Sequence, residues 1–221
     1  MESQSFLPPP ELIERAVAAV RRGGIVLYPT DTVYGLGCDP FNEAALERLL
    51  HLKGRDRTKG FLVLIPEISF VQGLCLEESA AALELMKTLW PGPVTFLLRA
   101  ASRVPAQLRG ASGKLGVRCP EMPFLRQWLA TLGGPLVSTS ANRSGRPAPA
   151  SFAGLKALFE LDVDLVIEGG EVDPLAPPSS VVDLTLRPPV LVRAGRGQEK
   201  VIRCLEDLIR GESQPSGMIA P

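Results

Sequence analysis

Apolar and polar residues alternate along the chain in blocks that predict helices and short strands in turn. In residues 12–20 the apolar side chains recur at helical spacing, and Gly23-Gly24 ends that pattern. Residues 25–28 form a short apolar run that stops at Pro29, which is typical of a strand that delivers a polar turn. The same patterns predict further helices in residues 42–54, 77–90, 124–132, 155–159 and 201–209, and further strands in residues 61–65, 94–98, 115–119, 136–137, 165–167, 180–184 and 190–193.

The order of these elements predicts an α/β (α+β) fold in which helices pack on a mixed parallel and antiparallel sheet. Some connections, such as the one across Arg187-Pro-Pro189, are too short for the crossover that a parallel strand pair requires. No repeat or long polar linker divides the 221 residues. We therefore expect one domain over residues 1–211, followed by a disordered tail in residues 212–221.

Composition narrows the classes of partner. The 24 Lys and Arg residues balance the 24 Asp and Glu residues, so the whole molecule carries no field that attracts nucleic acid or anionic lipid. The four cysteines are widely spaced and there is one histidine, which predicts free thiols and no metal site. No leader pattern and no apolar run of roughly 20 residues is present, so we expect a cytoplasmic location and no membrane partner.

Several catalytic motifs are absent. The segment Gly110-Ala-Ser-Gly-Lys-Leu115 has neither the spacing nor the hydroxyl of a P-loop. His51 stands on a predicted helix with no nearby partner for a hydrolase triad, and a structural role suits it better. These absences favour a chemistry of substrate positioning and charge neutralisation, which needs cations, hydroxyls and backbone amides.

Polar clusters at predicted strand ends offer those groups. The segment Lys53-Gly-Arg-Asp-Arg-Thr-Lys59 carries two lysines and two arginines, which repel one another unless a polyanion such as a triphosphate completes the loop. A solvated loop is the alternative interpretation. The cluster Ser138-Thr-Ser-Ala-Asn142 is either an ordinary polar turn or part of a site loop. The other clusters are Pro29-Thr-Asp-Thr-Val-Tyr-Gly-Leu-Gly37 and Ser179-Ser-Val-Val-Asp183 with Arg193.

Six collinear motifs between about Leu12 and Gly195 resemble those of the YrdC-type L-threonylcarbamoyladenylate synthases. The resemblance implies a twisted mixed sheet with a basic cavity that binds ATP, Mg²⁺ and L-threonine. It also implies that a carbamate, formed from threonine and bicarbonate, attacks ATP and expels pyrophosphate. The motifs are Tyr28-Pro-Thr-Asp-Thr-Val-Tyr-Gly-Leu-Gly37, Lys53-x-Arg55, Trp90-Pro-Gly-Pro-Val-Thr95, Gly116-Val-Arg-Cys-Pro120, Ser138-Thr-Ser-Ala-Asn142 and Ser180-Val-Val-Asp183.

The resemblance also implies roles for particular residues. Lys53 and Arg55 match the catalytic cations, which with Lys59 would neutralise the triphosphate and the pyrophosphate leaving group. Thr30 and Thr32 match the threonine-binding turn, and the planar fork of Arg118 suits a carboxylate clamp. The remaining predicted nucleotide-binding residues are Ser140, Asn142, Ser180 and Arg193.

The resemblance further implies that the product passes to a separate tRNA threonylcarbamoyl transferase complex, so stable tRNA binding by this chain is not expected.

Two features depart from the family pattern. Glu121 and Met122 stand where the family often has an acidic residue and a histidine, so no imidazole base is expected. The chain also resembles the short form that lacks an extra C-terminal domain.

Three alternatives remain beside this interpretation. A YciO-like paralogue would share the fold but lack the Lys-x-Arg and Ser-x-Asn signatures, both of which are present here. A carbamoyl-transfer module of hydrogenase maturation would belong to a longer chain with zinc-finger cysteines. An RNA-binding protein without catalysis would favour a basic face and aromatic stacking platforms, whereas this chain is neutral with 5% aromatic residues.

Overall fold

The computed structural model describes residues 8–76, 78–170 and 176–210. A short 3-10 helix, Ile68–Gly73, lies between the third strand and the third helix. The helices are α1 (Pro10–Arg21), α2 (Glu43–Lys53), α3 (Ala80–Leu89), α4 (Ala106–Arg109), α5 (Pro123–Leu132), α6 (Phe152–Phe159) and α7 (Gln198–Arg210). The strands are β1 (Val26–Tyr28), β2 (Gly35–Gly37), β3 (Leu62–Leu64), β4 (Val94–Arg99), β5 (Lys114–Arg118), β6 (Leu136–Ser140), β7 (Leu165–Val166), β8 (Ser180–Asp183) and β9 (Val190–Arg193).

All nine described strands join one mixed sheet in the order β7-β1-β2-β6-β3-β5-β4-β8-β9. Three neighbouring pairs are parallel, namely β1 with β7, β3 with β5, and β4 with β8. The strands that flank the Arg187-Pro-Pro189 connection, β8 and β9, pair antiparallel. The predicted mixed sheet with flanking helices is therefore confirmed.

Local sequence signals set several helix ends. Asn42 caps α2 by accepting a hydrogen bond of 3.0 Å from the Ala45 amide, and Gly54 follows its last residue. Ser79 caps α3 in the same way, so this helix begins at Ala80 rather than at residue 77, which lies outside the described residues. The predicted disordered tail also lies outside them.

The core lies on both sides of the sheet. One cluster packs α1 and α5 against Tyr28, whose ring meets that of Trp128 edge to face at a centroid distance of 5.0 Å. The other cluster is larger and includes residues of α2, α3, α6 and α7. Burial of these faces against the sheet is the main contribution to stability in such a fold.

The sequence patterns missed three elements, one of them the 3-10 helix, and misplaced part of a fourth. β2 and α4 were not predicted, because three residues in one case and four in the other are too few to show a period. Residues 138–140, expected in a loop, are the last three residues of β6. Their hydroxyl side chains conceal the strand, whose backbone pairs with β2 and β3.

Candidate active site

One face of the sheet encloses a cavity of about 360 Å³. Its apolar floor is formed by Leu62, Leu64, Leu97 and Val181, which come from β3, β4 and β8. Hydroxyl groups and cations surround this floor, and among the described residues that line the cavity there is no Asp or Glu. The cationic lining residues are Arg55, Arg109, Lys114, Arg118 and Arg193. The cavity is therefore suited to an anionic ligand with an apolar part.

Strand β5 places two of these cations at opposite ends of the cavity. Lys114, Gly116 and Arg118 alternate along the strand and all line the cavity, as residues on one face must. Four residue steps of about 3.3 Å along the strand separate the Cα atoms of Lys114 and Arg118 by roughly 13 Å. Arg55 lies toward the Lys114 end, because it bonds to the Gly60 carbonyl and Gly60 precedes β3 at the end where Lys114 begins the parallel strand β5. Arg109 lies at the same end, since the Phe61 amide bonds to the carbonyl of its neighbour Leu108.

Arg118 is a buried arginine with most of its donors already placed. Its Nε donates to the Gly92 carbonyl at 3.0 Å, and its Nη2 pairs with the Asp31 carboxylate. Its Nη1 lies 3.4 Å from Thr32 Oγ1. Burial lowers the pKa of the Arg118 guanidinium, and the charge of Asp31 opposes that change. These bonds fix the guanidinium in one orientation at the cavity wall.

The turn between β1 and β2 presents two threonine hydroxyls to the cavity. Thr30 Oγ1 accepts hydrogen bonds from the amides of Thr32 and Val33 at 3.0 and 3.1 Å. It lies 3.0 Å from Thr32 Oγ1 and donates to the Val33 carbonyl at 2.6 Å. The turn thus holds itself together through Thr30, and Arg118 contacts it through Thr32 and Asp31.

Lys53 is buried behind the cavity wall, with 2% of its surface exposed. Its Nζ donates to the Ser140 carbonyl at 2.5 Å and to Asn142 Oδ1 at 3.0 Å. Ser140 Oγ donates to the same amide oxygen at 2.5 Å. Burial, with a smaller effect from the nearby charge of Arg55, lowers the pKa of Lys53 to about 8. Lys53 therefore orders the Ser140-Asn142 segment.

The basic loop after α2 divides its cations between the cavity and the surface. Arg55 lines the cavity, donates to the Lys59 and Gly60 carbonyls at 3.0 and 2.6 Å, and lies over the Phe61 ring. Burial lowers the pKa of the Arg55 guanidinium. Arg57 instead forms an exposed pair with Glu47 at 2.6 Å. The solvated interpretation thus describes Arg57, whereas Arg55 belongs to the cavity.

The β8 end of the cavity is built from Ser179 rather than Ser180. Ser179 lines the cavity, and its Oγ lies 3.0 Å from Thr95 Oγ1. Arg193, also a lining residue, donates to the Ser179 carbonyl at 2.8 Å, and burial lowers the pKa of its guanidinium. Ser180 is fully buried, and its Oγ accepts from the Gly195 amide at 3.1 Å and donates to the Arg196 carbonyl at 3.0 Å.

The predicted site residues thus separate into two groups. One group lines the cavity and consists of Thr30, Thr32, Arg55, Arg118, Ser140 and Arg193. The other group does not line it and consists of Lys53, Lys59, Asn142 and Ser180. Lys53 and Asn142 touch Ser140, Lys59 receives a hydrogen bond from Arg55, and Ser180 supports the turn after β9.

Sequence reasoning assigned no individual role to several polar groups of the cavity. Ser138 is one example, since its Oγ accepts a hydrogen bond of 2.7 Å from the buried Tyr28 hydroxyl. Its own proton is then free to be donated to a ligand. The alternation of side chains along β5 is the signal that could have found Lys114, which lies on the same face of the strand as Arg118. Four of these residues, Thr95, Ser138, Thr139 and Ser179, stand in the polar clusters or motifs of the sequence, whereas Arg109, Ser112 and Lys114 stand in none of them.

A family model named Sua5/YciO/YrdC, described as "Telomere recombination", matches residues 18–195. The chain belongs to this family. A threonylcarbamoyl-AMP synthase of Nitrosococcus oceani is 41% identical over 157 residues, which are 71% of this chain and 85% of that protein. The family assignment confirms the resemblance drawn from the six sequence motifs.

Solved structures of family members share the fold. Sua5 of P. abyssi in complex with L-threonine superposes with a TM-score of 0.84 and is 30% identical, and the match covers 96% of this chain. The match spans 64% of that Sua5 chain, which is therefore the longer protein. E. coli YciO superposes with a TM-score of 0.79 and is 33% identical, covering 87% of this chain and 93% of YciO.

The described residues contain neither a metal-binding cluster of side chains nor a membrane-spanning helix. No group of three or more His, Cys, Asp or Glu side chains lies close enough together to hold a metal ion. Within the same ranges no helix has the length and apolar character needed to cross a membrane. All four cysteines are free thiols, and three of them are buried.

Proposed function

We propose that this protein is a threonylcarbamoyl-AMP synthase, which joins L-threonine, bicarbonate and the AMP part of ATP and releases pyrophosphate. The observation that carries the proposal is a single cavity with a fixed arginine and hydroxyls at one end and several cations at the other. The similarity to proteins of that name over most of the chain supports the same activity.

The Arg118 end would take threonine. A substrate carboxylate would bind the remaining N–H donors of the Arg118 guanidinium, which is already oriented by Gly92 and Asp31. Thr32, whose hydroxyl lies within reach of the same guanidinium, would contact the bound amino acid. An arginine fixed before binding loses little side-chain entropy on binding, which favours affinity for a small ligand.

The opposite end would take the triphosphate. Arg55 and Arg109 would neutralise the phosphate oxygens, together with Lys114, whose Nζ is also paired with the buried Asp183 carboxylate at 2.5 Å. The Ser140 hydroxyl donates its proton to Asn142 Oδ1, so the Ser140 oxygen would act as an acceptor toward Mg²⁺ of the bound nucleotide. Lys53 would act from behind the wall by fixing Ser140 and by adding positive potential. The Cα atoms of Lys114 and Arg118 are roughly 13 Å apart. Threonine and the triphosphate would therefore bind side by side, with the carbamate next to the α-phosphate.

The reaction then needs two bond-forming steps. The threonine nitrogen bonds to the bicarbonate carbon with loss of water, which gives a carbamate. A carbamate oxygen attacks the α-phosphorus, the bond from that phosphorus to the bridging oxygen breaks, and pyrophosphate leaves with the electron pair. The cations would stabilise the charge that develops on the leaving group, so catalysis would rest on positioning and electrostatics. His51 is exposed on α2 and does not line the cavity.

Magnesium would arrive with ATP. Mg²⁺ commonly binds through one or two protein oxygens, substrate phosphates and water, and the hydroxyl-lined Ser140 end of the cavity fits that mode. Mg²⁺ would reduce the charge repulsion between the phosphates. The labile product would pass to a separate transferase that modifies tRNA, so the cavity itself would not hold tRNA.

The decisive experiment measures pyrophosphate release from ATP by the purified protein. We expect release only when threonine and bicarbonate are both present, with serine as the control amino acid. Pyrophosphate release that is the same with and without threonine, or no release under any condition, would overturn the proposal. In that case a filter-binding assay with RNA would distinguish the two remaining alternatives. Tight, salt-sensitive RNA binding would favour an RNA-binding protein, and no binding would favour a YciO-like paralogue.

A further inference from the structure

We propose that Arg196 is a positioning residue for threonine, because it holds the Thr30-Asp31-Thr32 turn against the turn that follows β9. Arg196 belongs to none of the motifs that mark the family resemblance. The inference rests on the proposed function for its kinetic test. It rests on geometry alone for the structural test described below.

The backbone of Arg196 is fixed to the start of β8. Its amide donates to the Pro178 carbonyl at 2.8 Å, and its carbonyl accepts from Ser180 Oγ at 3.0 Å. Ser180 Oγ also accepts from the Gly195 amide at 3.1 Å. One buried hydroxyl thus joins both residues of the turn to the strand. Ser180 therefore has a structural role beside the cavity, which is to hold the turn that follows β9.

Gly195 allows this turn to approach β8 so closely. A Cβ at this position would lie 2.3 Å from the Pro178 carbonyl oxygen and 2.9 Å from the Ser179 carbonyl. Both contacts are too short for a real side chain, so any other residue would push the turn away from the strand. Glycine here and serine at position 180 together set the starting point of the Arg196 side chain.

The side chain of Arg196 crosses to the opposite part of the sheet. Its Nη1 donates to the carbonyl oxygen of Asp31, a residue 165 positions earlier in the chain. Asp31 follows β1, the second strand of the sheet, whereas Arg196 follows β9, the last strand. The sheet must therefore curve until its two distant parts meet, and Arg196 bridges them beside the cavity.

Asp31 transmits this contact to the proposed threonine end. Its backbone is held by Arg196, and its carboxylate pairs with the Arg118 guanidinium. Thr30 and Thr32, on either side of Asp31, line the cavity. Without Arg196, the turn and the carboxylate that orients Arg118 would lose one anchor. Threonine binding would weaken, whereas the triphosphate end at Arg55 and Lys114 would keep its geometry.

Steady-state pyrophosphate release tests this inference with a matched pair of variants. We expect Arg196→Ala to raise the KM for threonine about tenfold and to change kcat and the KM for ATP less than twofold. Arg196→Lys keeps a donor and a charge, so it should recover part of the loss. Arg203→Ala removes an exposed arginine of α7 whose described hydrogen bond stays within its own helix, and it should match the wild type. Equal changes in both KM values, or none, would overturn the inference.

Amide hydrogen exchange separates this inference from the proposed function. A wild-type protein that releases no pyrophosphate would refute the function and leave the Arg196 contact to be judged by exchange. We expect faster exchange in residues 29–36 of Arg196→Ala than in Arg203→Ala, with equal unfolding temperatures. Equal exchange in this segment would show that Arg196 does not hold the turn.

Discussion

Lys53 and Asn142, 89 residues apart in the sequence, are joined by a hydrogen bond of 3.0 Å from the lysine ammonium to the amide oxygen. The same ammonium donates to the Ser140 carbonyl. The lysine of the Lys-x-Arg motif and the asparagine of the Ser-x-Asn motif therefore form one unit. We propose that this unit positions two residues for contact with the nucleotide, namely Ser140 and, two residues after Lys53, Arg55.

ATP binding should take up a proton above pH 8. In the empty protein the pKa of Lys53 is lowered to about 8, mainly by burial, so at pH 9 the amine is mostly neutral. A nearby polyphosphate favours the charged form and raises this pKa, so the affinity for ATP should fall as pH rises from 8 toward 10, by at most about tenfold per pH unit. Calorimetry in two buffers of different ionisation enthalpy measures the uptake.

Lys53→Arg is the control for this prediction. Its guanidinium stays protonated throughout the range, so the proton uptake at pH 9 should disappear. Well below pH 8 Lys53 is charged with or without ATP, so the two proteins should no longer differ in proton uptake. An equal uptake at pH 9 in both proteins would contradict the assignment to Lys53.

Arg55 and Arg57 should differ sharply in their effect on turnover. Arg55 lines the cavity, whereas Arg57 pairs with Glu47 at the surface. Losing a charge-assisted bond to phosphate costs about 1.5–3 kcal/mol, so Arg55→Ala should slow adenylate formation at least tenfold. Arg57→Ala should leave it within about twofold. Pyrophosphate release measures both, and near-normal turnover of Arg55→Ala would contradict its role.

Asn142→Asp should destabilise the segment after β6 and weaken ATP binding. Asn142 Nδ2 donates to the carbonyls of Arg143 and Arg146 at 3.0 and 2.7 Å. An aspartate would face both carbonyls with an acceptor, at a cost of about 1–3 kcal/mol, and would place a negative charge near the phosphates. Urea unfolding and ATP titration test the two effects. Unchanged ATP affinity would place Asn142 away from the nucleotide.

Alanine substitution should lower the stability of the protein at Gly37 but not at Gly134. A Cβ on Gly37 would lie 2.5 Å from the Val137 carbonyl oxygen and 2.9 Å from the Tyr28 ring, so Gly37→Ala should destabilise the protein by about 1–3 kcal/mol. A Cβ on Gly134 meets nothing within 4 Å. Gly134→Ala should therefore be neutral or stabilising by up to about 1 kcal/mol. Urea unfolding of both variants gives the comparison.

The sequence alone determined the elements with strong local signals and the family. Asn42 and Gly54 mark the ends of α2 because they satisfy backbone groups that a helix leaves unpaired, a requirement that acts within four residues. The short connection at Arg187-Pro-Pro189 required antiparallel neighbours. These signals need no knowledge of distant parts of the chain.

Only the tertiary structure decided which side chains enter the cavity. Ser179 precedes β8 and Ser180 is its first residue, and successive residues of extended backbone face opposite sides, so one lines the cavity and the other supports Arg196. The bonds from Lys53 to Asn142 and from Arg196 to Asp31 span 89 and 165 residues. Such contacts depend on the register and curvature of the whole sheet, which local patterns do not encode.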